Sequence, residues 1–285
     1  MPTRFTSGFR HALIVIAMAA VRAADAQDST FTQQKVADTT HLSSAPLFTG
    51  RDALYAAGFT VGTVLMFPLD KKIAQNLQRP GNQGNRFLRH ISTDVRITAQ
   101  PGALIIGASF FAIGRVARIE KMADLGLHGT EALLLATTIN GLIKGVAGRA
   151  RPYVVGDSNS HSFSFGRGFR KGNDYQSFPS GHTVTGFAAA SAVTAETARW
   201  WPKSTWYVAP VMYGGATLIG LSRMYNNAHW ASDVMMGAAI GTFSGVKVVQ
   251  YNHSHPRNLI DRILLSASVV PNGDGGVAVA VNLQP

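Results

Sequence analysis

Six apolar segments, rich in alanine, leucine, isoleucine and methionine, recur along the chain between charged loops that carry glycine or proline. Few of these segments alternate apolar and polar residues as strands do, so the pattern indicates helices. The predicted helices cover residues 53–68, 98–116, 129–149, 180–198, 206–222 and 229–249. We therefore expect an all-α fold, a helical bundle of about six core helices.

The regions that flank these helices have a different character. Residues 27–51 are polar and rich in Ser, Thr and Gln, which indicates a linker before a helical domain at 52–250. In the tail at 251–285, the apolar runs 263–270 and 277–283 flank the turn-rich sequence PNGDGG. This pattern predicts a C-terminal β-hairpin.

The N-terminal segment has the pattern of a secretory signal peptide. Arg4 and Arg10 precede an apolar run of ten residues at 12–21, and the sequence ADA at 24–26 matches a cleavage site. A run of ten residues is too short to cross a bilayer, which needs about 20 residues. We predict that residues 1–26 are a signal peptide, and a buried N-terminal helix is the alternative.

The predicted helices are short for membrane spans. In three of them the uncharged stretch is short. It holds 12 residues between Glu131 and Lys144, 13 between His182 and Glu196, and 13 between Asp233 and Lys247. Thirteen residues cover roughly 20 Å of helix, whereas the hydrocarbon core is about 30 Å thick. Only 97–114 and 204–222 approach spanning length, and each contains a proline. This favours an exported, periplasmic or envelope-associated domain over an integral membrane protein.

Composition narrows the function classes. Hydrophobic residues make up 46% of the chain, which excludes global disorder. Cysteine is absent, which excludes a disulfide scaffold, a thiolate-bound metal and a thiol nucleophile. The net charge is +11, and it is still +9 after residues 1–26 are removed. Such a charge suggests an anionic partner, namely a nucleic acid, an anionic membrane surface or a phosphorylated substrate.

The first motif with candidate chemistry contains Lys144, followed seven residues later by Arg151 and then by Pro152. A spacing of seven is close to two helical turns, so we expect both cations on one helical face, with Pro152 ending the helix. Such a pair can bind an anion, although a solvated basic face has the same pattern. Arg149 is expected to point away from Arg151, because residues two apart do not share a face.

The second motif, Pro179-Ser180-Gly181-His182, directly precedes an apolar helix. Ser180 is a candidate N-cap, and the free backbone N–H groups of a helix start bind anions. Gly181 would allow a ligand to approach the backbone closely, and His182 would face that ligand. An ordinary capped helix with a surface histidine is the alternative.

The third motif runs from Ser222-Arg223 to His229 and Asp233. His229 and Asp233 are four residues apart, so we expect them to meet on one helical face. A carboxylate beside an imidazole fixes its tautomer and leaves the other nitrogen free as a base or nucleophile. The guanidinium of Arg223 could donate two parallel hydrogen bonds to an oxyanion. The alternative is a helical ion pair near a capped turn.

Together, the three motifs resemble the signature of the type 2 phosphatidic acid phosphatase superfamily. This superfamily also includes the bacterial class A acid phosphatases and the vanadium haloperoxidases. All eleven signature positions match, with 26 residues between the first two motifs and 39 between the last two. The resemblance covers about residues 53–250 and implies a helical bundle of the acid phosphatase type.

The resemblance also implies a role for each motif residue. His229 would attack phosphorus to give a phosphohistidine, Asp233 would hold it, and His182 would protonate the leaving oxygen and then activate water. The residues expected to bind the phosphate oxygens are Lys144, Arg151, Ser180, Gly181 and Arg223. Three cationic side chains can supply the charge that a metal supplies elsewhere, so neither a metal nor a cofactor is expected.

We therefore expect a metal-independent phosphatase that hydrolyses phosphate monoesters or pyrophosphates. The expected substrate is a lipid phosphate, an isoprenoid pyrophosphate or a small phosphate ester, and a membrane surface is a further expected partner. A vanadate-dependent haloperoxidase is the alternative, because the same residues can hold vanadate. A non-enzymatic envelope binding module is disfavoured by the complete motif set, and nucleic acid is excluded because no recognition motif is present.

The loop at 153–178, between the first two motifs, is the predicted specificity element. Basic and aromatic residues beside a phosphate site could accept an anionic amphiphile. An ordinary mobile lid is the alternative. The residues concerned are Phe163, Phe165, Arg167, Phe169, Arg170 and Lys171.

Overall fold

The computed structural model describes residues 47–84, 92, 101–255, 258–264, 267–271 and 277–281. The predicted signal peptide and residues 27–46 of the predicted linker lie outside these residues. So do the first residues of the helix predicted at 98–116 and most of the turn of the predicted hairpin.

Six long helices form a bundle, and each overlaps one predicted helix, so the all-α fold class is confirmed. They are α1 (Gly50–Leu77), α2 (Ala103–Val116), α3 (Glu120–Ala147), α4 (Gly181–Trp200), α5 (Thr205–Tyr225) and α6 (Ala231–Ser254). Shorter helical segments connect or follow them at Pro80–Gln83, Pro152–Val154, Arg167–Lys171, Gly172–Tyr175, Pro202–Ser204 and Leu259–Leu264. Strands β1 (Ala267–Pro271) and β2 (Val277–Val281) pair antiparallel, with Ala267 opposite Val281.

The start of α1 is fixed by local capping. Thr49 and Asp52 form a capping box, in which each side chain accepts a hydrogen bond from the other's backbone N–H. The Asp52 carboxylate also lies 2.7 Å from Lys247 of α6. The cap therefore ties α1 to the last helix of the bundle as well as starting it.

Glycines allow α6 to pack very closely on α4. Gly237, Gly241 and Gly245 recur every four residues along one face of α6. A Cβ at Gly245 would lie 2.6 Å from the Ala188 carbonyl oxygen, and one at Gly237 would lie 2.8 Å from the Ser180 carbonyl oxygen. Only glycine fits these positions without a shift, so the stripe fixes how α6 sits on α4.

The exposed surface of the bundle is strongly apolar. In the part of the chain that the structure describes, α1 is the one helix both long and apolar enough to cross a membrane, and 6% of its apolar window is buried. From the sequence, 97–114 and 204–222 are the segments expected to approach spanning length, and the first helix is predicted only over 53–68. Pro68 lies inside α1, which continues to Leu77.

Candidate functional site

The first motif does not follow one helical face, and this part of the sequence prediction was wrong. Helix α3 ends at Ala147, and Gly148 takes a left-handed conformation with φ of 52°. Residues 149–151 therefore leave the helix in a different direction. A side chain at Gly148 would also collide with the backbone of Ser164. The αL glycine thus lets Lys144 and Arg151 approach the site from a helix end and a loop.

His229 lies at the centre of the site, just before α6, and 3% of it is exposed. Its Nδ1 lies 2.7 Å from the Ser177 carbonyl oxygen. A carbonyl can only accept a hydrogen bond, so Nδ1 carries the proton and Nε2 keeps its lone pair. Nε2 faces the Arg151 guanidinium at 3.4 Å. Burial, assisted by the charges of Lys144 and Arg151, lowers the pKa of His229 well below its usual value and keeps the imidazole neutral.

Asp233 lies beneath His229, with its carboxylate 3.5 Å from the His229 Nδ1. The pair does not share a helical face as predicted, because His229 precedes the helix and Asp233 is in its first turn. The Asp233 carboxylate accepts hydrogen bonds from the Trp230 N–H at 2.8 Å and from the Ser177 hydroxyl. Burial opposes its ionisation, but Arg149 and the hydrogen bonds outweigh burial and hold the pKa of Asp233 well below its usual value.

Arg149 is fully buried under the site, and the sequence analysis missed its importance. Its guanidinium donates to the carboxylates of Asp233 and Asp70, to the Ser232 hydroxyl at 2.7 Å, and twice to the Ser160 carbonyl oxygen. The expectation that Arg149 points away from Arg151 assumed a continuous helix, whereas the helix ends before Gly148. One sequence signal was available: Asp70 is a lone carboxylate after an apolar run in α1, and a buried charge requires a partner.

The Asp70 carboxylate extends this network to α1 and α6. It accepts hydrogen bonds from the Ser232 N–H at 2.9 Å and the Ser232 hydroxyl at 2.6 Å. The rings of Phe67, Phe163, Phe178 and Trp230 surround the Arg149 guanidinium at 4.9–5.9 Å. Because these groups exclude water, Arg149 is held in a single position between two carboxylates.

The three cations of the motifs converge on the same site. Arg151 is fixed by Asn173, whose carbonyl and side-chain oxygens accept at 2.8 and 2.6 Å. Lys144 donates to the Gln176 carbonyl oxygen. Burial, together with the charges of Arg151 and Arg223, lowers the pKa of Lys144 to about 7. Arg223 is buried in the last turn of α5. Such a concentration of positive charge favours an anion.

The second motif forms the start of α4. Ser180 occupies the predicted N-cap position and is fully buried, but its side chain makes no capping hydrogen bond. Instead its hydroxyl accepts from Thr183 at 2.9 Å, and its N–H donates to the Asp233 carbonyl oxygen at 3.0 Å. Gly181 and half-buried His182 form the first turn. The link to Asp233 joins this helix start to the third motif.

The loop at 153–178 divides into an anchoring part and an exposed part. Arg167 donates to the carbonyl oxygens of Gly148 and Ser162, and Phe163 packs against Phe178 with ring centroids 5.8 Å apart. In contrast, 83% of Phe165 and 62% of Phe169 are exposed. The second group is the more exposed part of the loop.

The site is thus a buried neutral imidazole with three cations converging on it, an arrangement suited to a phosphoryl group. Residues 127–256 match the family model of the PAP2 superfamily. This part of the chain, which contains all three motifs, is similar to that superfamily.

A curated relative is also similar over part of the chain. The lipid A 1-phosphatase of Porphyromonas gingivalis is 44% identical over 87 residues, which cover 30% of this chain and 19% of that protein. The chain therefore matches about a fifth of the length of that curated relative.

Two solved structures are also similar. A transmembrane PAP2 type phosphatidylglycerolphosphate phosphatase from Bacillus subtilis is 18% identical, with a TM-score of 0.49 over 73% of this chain and 99% of that chain. LpxE from Aquifex aeolicus is 21% identical, with a TM-score of 0.45 over 66% of this chain and 96% of that chain.

Proposed function

We propose that this protein is a phosphatase that removes phosphate from a phosphorylated lipid through a phosphohistidine intermediate. The PAP2 superfamily match and the name of the Porphyromonas gingivalis relative support a phosphatase of lipid phosphates. The observation that carries the mechanism is the orientation of His229. Its protonated Nδ1 is tied to the Ser177 carbonyl oxygen, which leaves the Nε2 lone pair beside Arg151.

In the first step, Nε2 of His229 attacks phosphorus and the bond from phosphorus to the leaving oxygen breaks. His182 donates a proton to that oxygen, so the alcohol leaves neutral. As the N–P bond forms, positive charge develops on the imidazole. Asp233 is held as a carboxylate and stabilises this charge from beneath the ring.

In the second step, His182 takes a proton from water, and the resulting hydroxide attacks phosphorus. The N–P bond breaks, inorganic phosphate leaves, and His229 returns to its neutral form. Lys144, Arg151 and Arg223 neutralise the oxygens of the phosphoryl group in both steps, while Ser180 and the Gly181 N–H complete the oxyanion contacts. Such positioning and charge neutralisation supply most of the catalysis in phosphoryl transfer, so the proposed mechanism needs no metal.

The apolar exterior of the bundle supports a lipid substrate and an association with a membrane. Large apolar side chains are exposed along α1, α3 and α5, among them Leu54, Val61, Leu65, Leu142, Trp206 and Val211. Contiguous apolar surface of this kind marks contact with a membrane or another protein. We propose that it contacts lipid and brings the site to a membrane-bound substrate. Release by alkaline carbonate without detergent would contradict firm membrane association.

The proposal is tested by trapping the intermediate. Purified protein is mixed with a 32P-labelled lipid phosphate in the presence of EDTA, quenched in alkali, and examined for acid-labile, alkali-stable label. We expect label and phosphate release in the wild-type protein and neither in His229→Gln. His161→Gln is the matched control, because His161 lies outside the three motifs. Unchanged release in His229→Gln would refute the mechanism.

A further inference from the structure

A second cluster of buried ionisable groups lies far from the phosphate site. Glu196 of α4 lies between two imidazoles, with its carboxylate near His128 Nδ1 and 2.8 Å from His253 Nε2. Lys144 lies sixteen positions after His128 on α3, which corresponds to a distance of about 24 Å along the helix axis. The cluster is therefore at the opposite end of the bundle from His229, and the proposed mechanism does not use it.

The donor atoms of this cluster converge on one point. One ligand atom from each of His128, Glu196 and His253 lies within 4.8 Å of the other two. Zinc ligands at about 2.0–2.1 Å from the metal lie about 3.3 Å apart in a tetrahedral site. A modest side-chain adjustment brings the three atoms to that separation. Two imidazole nitrogens and a carboxylate oxygen form a set that divalent transition metals prefer.

The surroundings of His128 resemble the outer shell of a metal site. Its Nδ1 faces Glu196, and its Nε2 faces the Asp261 carboxylate at 3.4 Å. Among the described residues this Nε2 has no hydrogen-bond partner, and the nearby Asp261 carboxylate is the kind of group to which a metal-bound histidine donates its second ring N–H. His128 and Glu196 are almost completely buried, so their orientation is set by the protein rather than by solvent.

Further carboxyl groups lie near the cluster, and two of their oxygens have no hydrogen-bond partner among the described residues. Asp124 and Glu131 lie close enough to His128 to interact with it electrostatically, which makes four carboxyl groups around two imidazoles. Among the described residues, Asp261 Oδ1 and Glu131 Oε1 are buried without a hydrogen-bond partner. Buried carboxyl oxygens without a donor are stabilised when a cation or a hydrogen-bond donor reaches them.

We propose that His128, Glu196 and His253 bind a divalent transition-metal ion, with Asp261 orienting His128. The ion joins α3, α4 and α6 at the end of the bundle remote from the phosphate site. Its role is structural, because a metal that binds only the folded chain stabilises it.

The test measures metal content and stability in the full chain. Protein stripped with EDTA is incubated with Zn²⁺, freed of excess metal by gel filtration, and assayed for zinc. We expect one zinc ion per chain, a thermal midpoint several degrees above that of the stripped protein, and tetrahedral absorption bands when Co²⁺ replaces Zn²⁺.

Variants distinguish this site from adventitious surface binding. His253→Gln and Glu196→Gln should lose the bound zinc and the rise in thermal midpoint. His253 is only partly buried, so its variant should still show a cooperative unfolding transition. His255→Gln is the matched control, since this exposed histidine lies two residues away and its ring lies against Ser254 and Tyr251. It should retain the zinc.

Three outcomes would overturn the proposal: wild-type protein without stoichiometric zinc, full zinc in His253→Gln, or equal loss in His255→Gln. Phosphate release gives a separate measurement. Stripped wild-type protein should still release phosphate below its lowered thermal midpoint, so failure of the metal proposal and failure of the proposed function give different results.

Discussion

Replacement of Arg149 by lysine tests whether the buried arginine positions the catalytic pair. Arg149 donates five hydrogen bonds, and two of them reach the carboxylates of Asp70 and Asp233. Lysine retains the charge but places its three donors on a single atom, so it cannot reach both carboxylates and Ser160 at once. One carboxylate is therefore left without its partner.

The expected loss of stability follows from this geometry. Breaking a buried ion pair lowers the free energy of unfolding by about 3–5 kcal/mol. Because lysine keeps the positive charge, we expect a loss near the lower end of this range for Arg149→Lys, about 3 kcal/mol. This corresponds to a fall of roughly 10 °C in Tm. Asp233 keeps its hydrogen bonds from Trp230 and Ser177, so the helix start should survive.

The expected loss of activity lies in kcat. A misplacement of about 1 Å at the reacting groups costs on the order of 10²-fold in rate, and Asp233 would shift by such an amount under His229. KM should change little, because the residues proposed to bind the phosphate, Lys144, Arg151 and Arg223, are unchanged.

Steady-state phosphate release and thermal unfolding, measured at a temperature where both proteins are folded, separate these effects. Arg167→Lys is the matched control, since the Arg167 guanidinium donates to Ser162 and the Gly148 carbonyl and to no carboxylate. Wild-type kcat in folded Arg149→Lys would refute the positioning role. A rise in KM with unchanged kcat would instead assign Arg149 to phosphate binding.

Three further predictions follow from other parts of the molecule. Lys144, whose pKa is lowered to about 7, is charged only below that pH in the free enzyme, so kcat/KM should fall as pH rises above about 7. A decline beginning near 10 would contradict this, and Lys144→Arg should move the decline upward. Phe165→Ala should raise KM for a lipid phosphate but not for a short soluble ester, because the ring is exposed on the loop between the first two motifs. Equal effects on both substrates would exclude this contact. Gly245→Ala should destabilise the bundle by about 1–3 kcal/mol in denaturant unfolding, because its Cβ would meet the α4 backbone. Gly214→Ala, with open space around it, is the control and should not destabilise.

The helices could be predicted from sequence because their signals are local. Apolar periodicity and breakers act over a few residues, so all six long helices overlap predicted segments. Where tertiary contacts decide an element's length, the prediction failed. Helix α1 continues past Pro68 to Leu77, and Asp70 within that extension is buried against Arg149.

The sequence by itself determined which residues could form the phosphate site. The order and spacing of the three motifs single out Lys144, Arg151, His182, His229 and Asp233 without any structure. Motif spacing, however, gives only positions along the chain. It does not predict where the side chains point once a helix has ended.

Only the tertiary structure decided how these residues are held. The left-handed Gly148 turns Arg149 inward to meet Asp70, 79 residues away, and the Ser177 carbonyl, 52 residues from His229, selects the nitrogen that keeps its lone pair. The second cluster likewise combines His128 and Glu196, which lie 68 residues apart. Such contacts depend on how the helices pack, and packing joins residues that no local pattern connects.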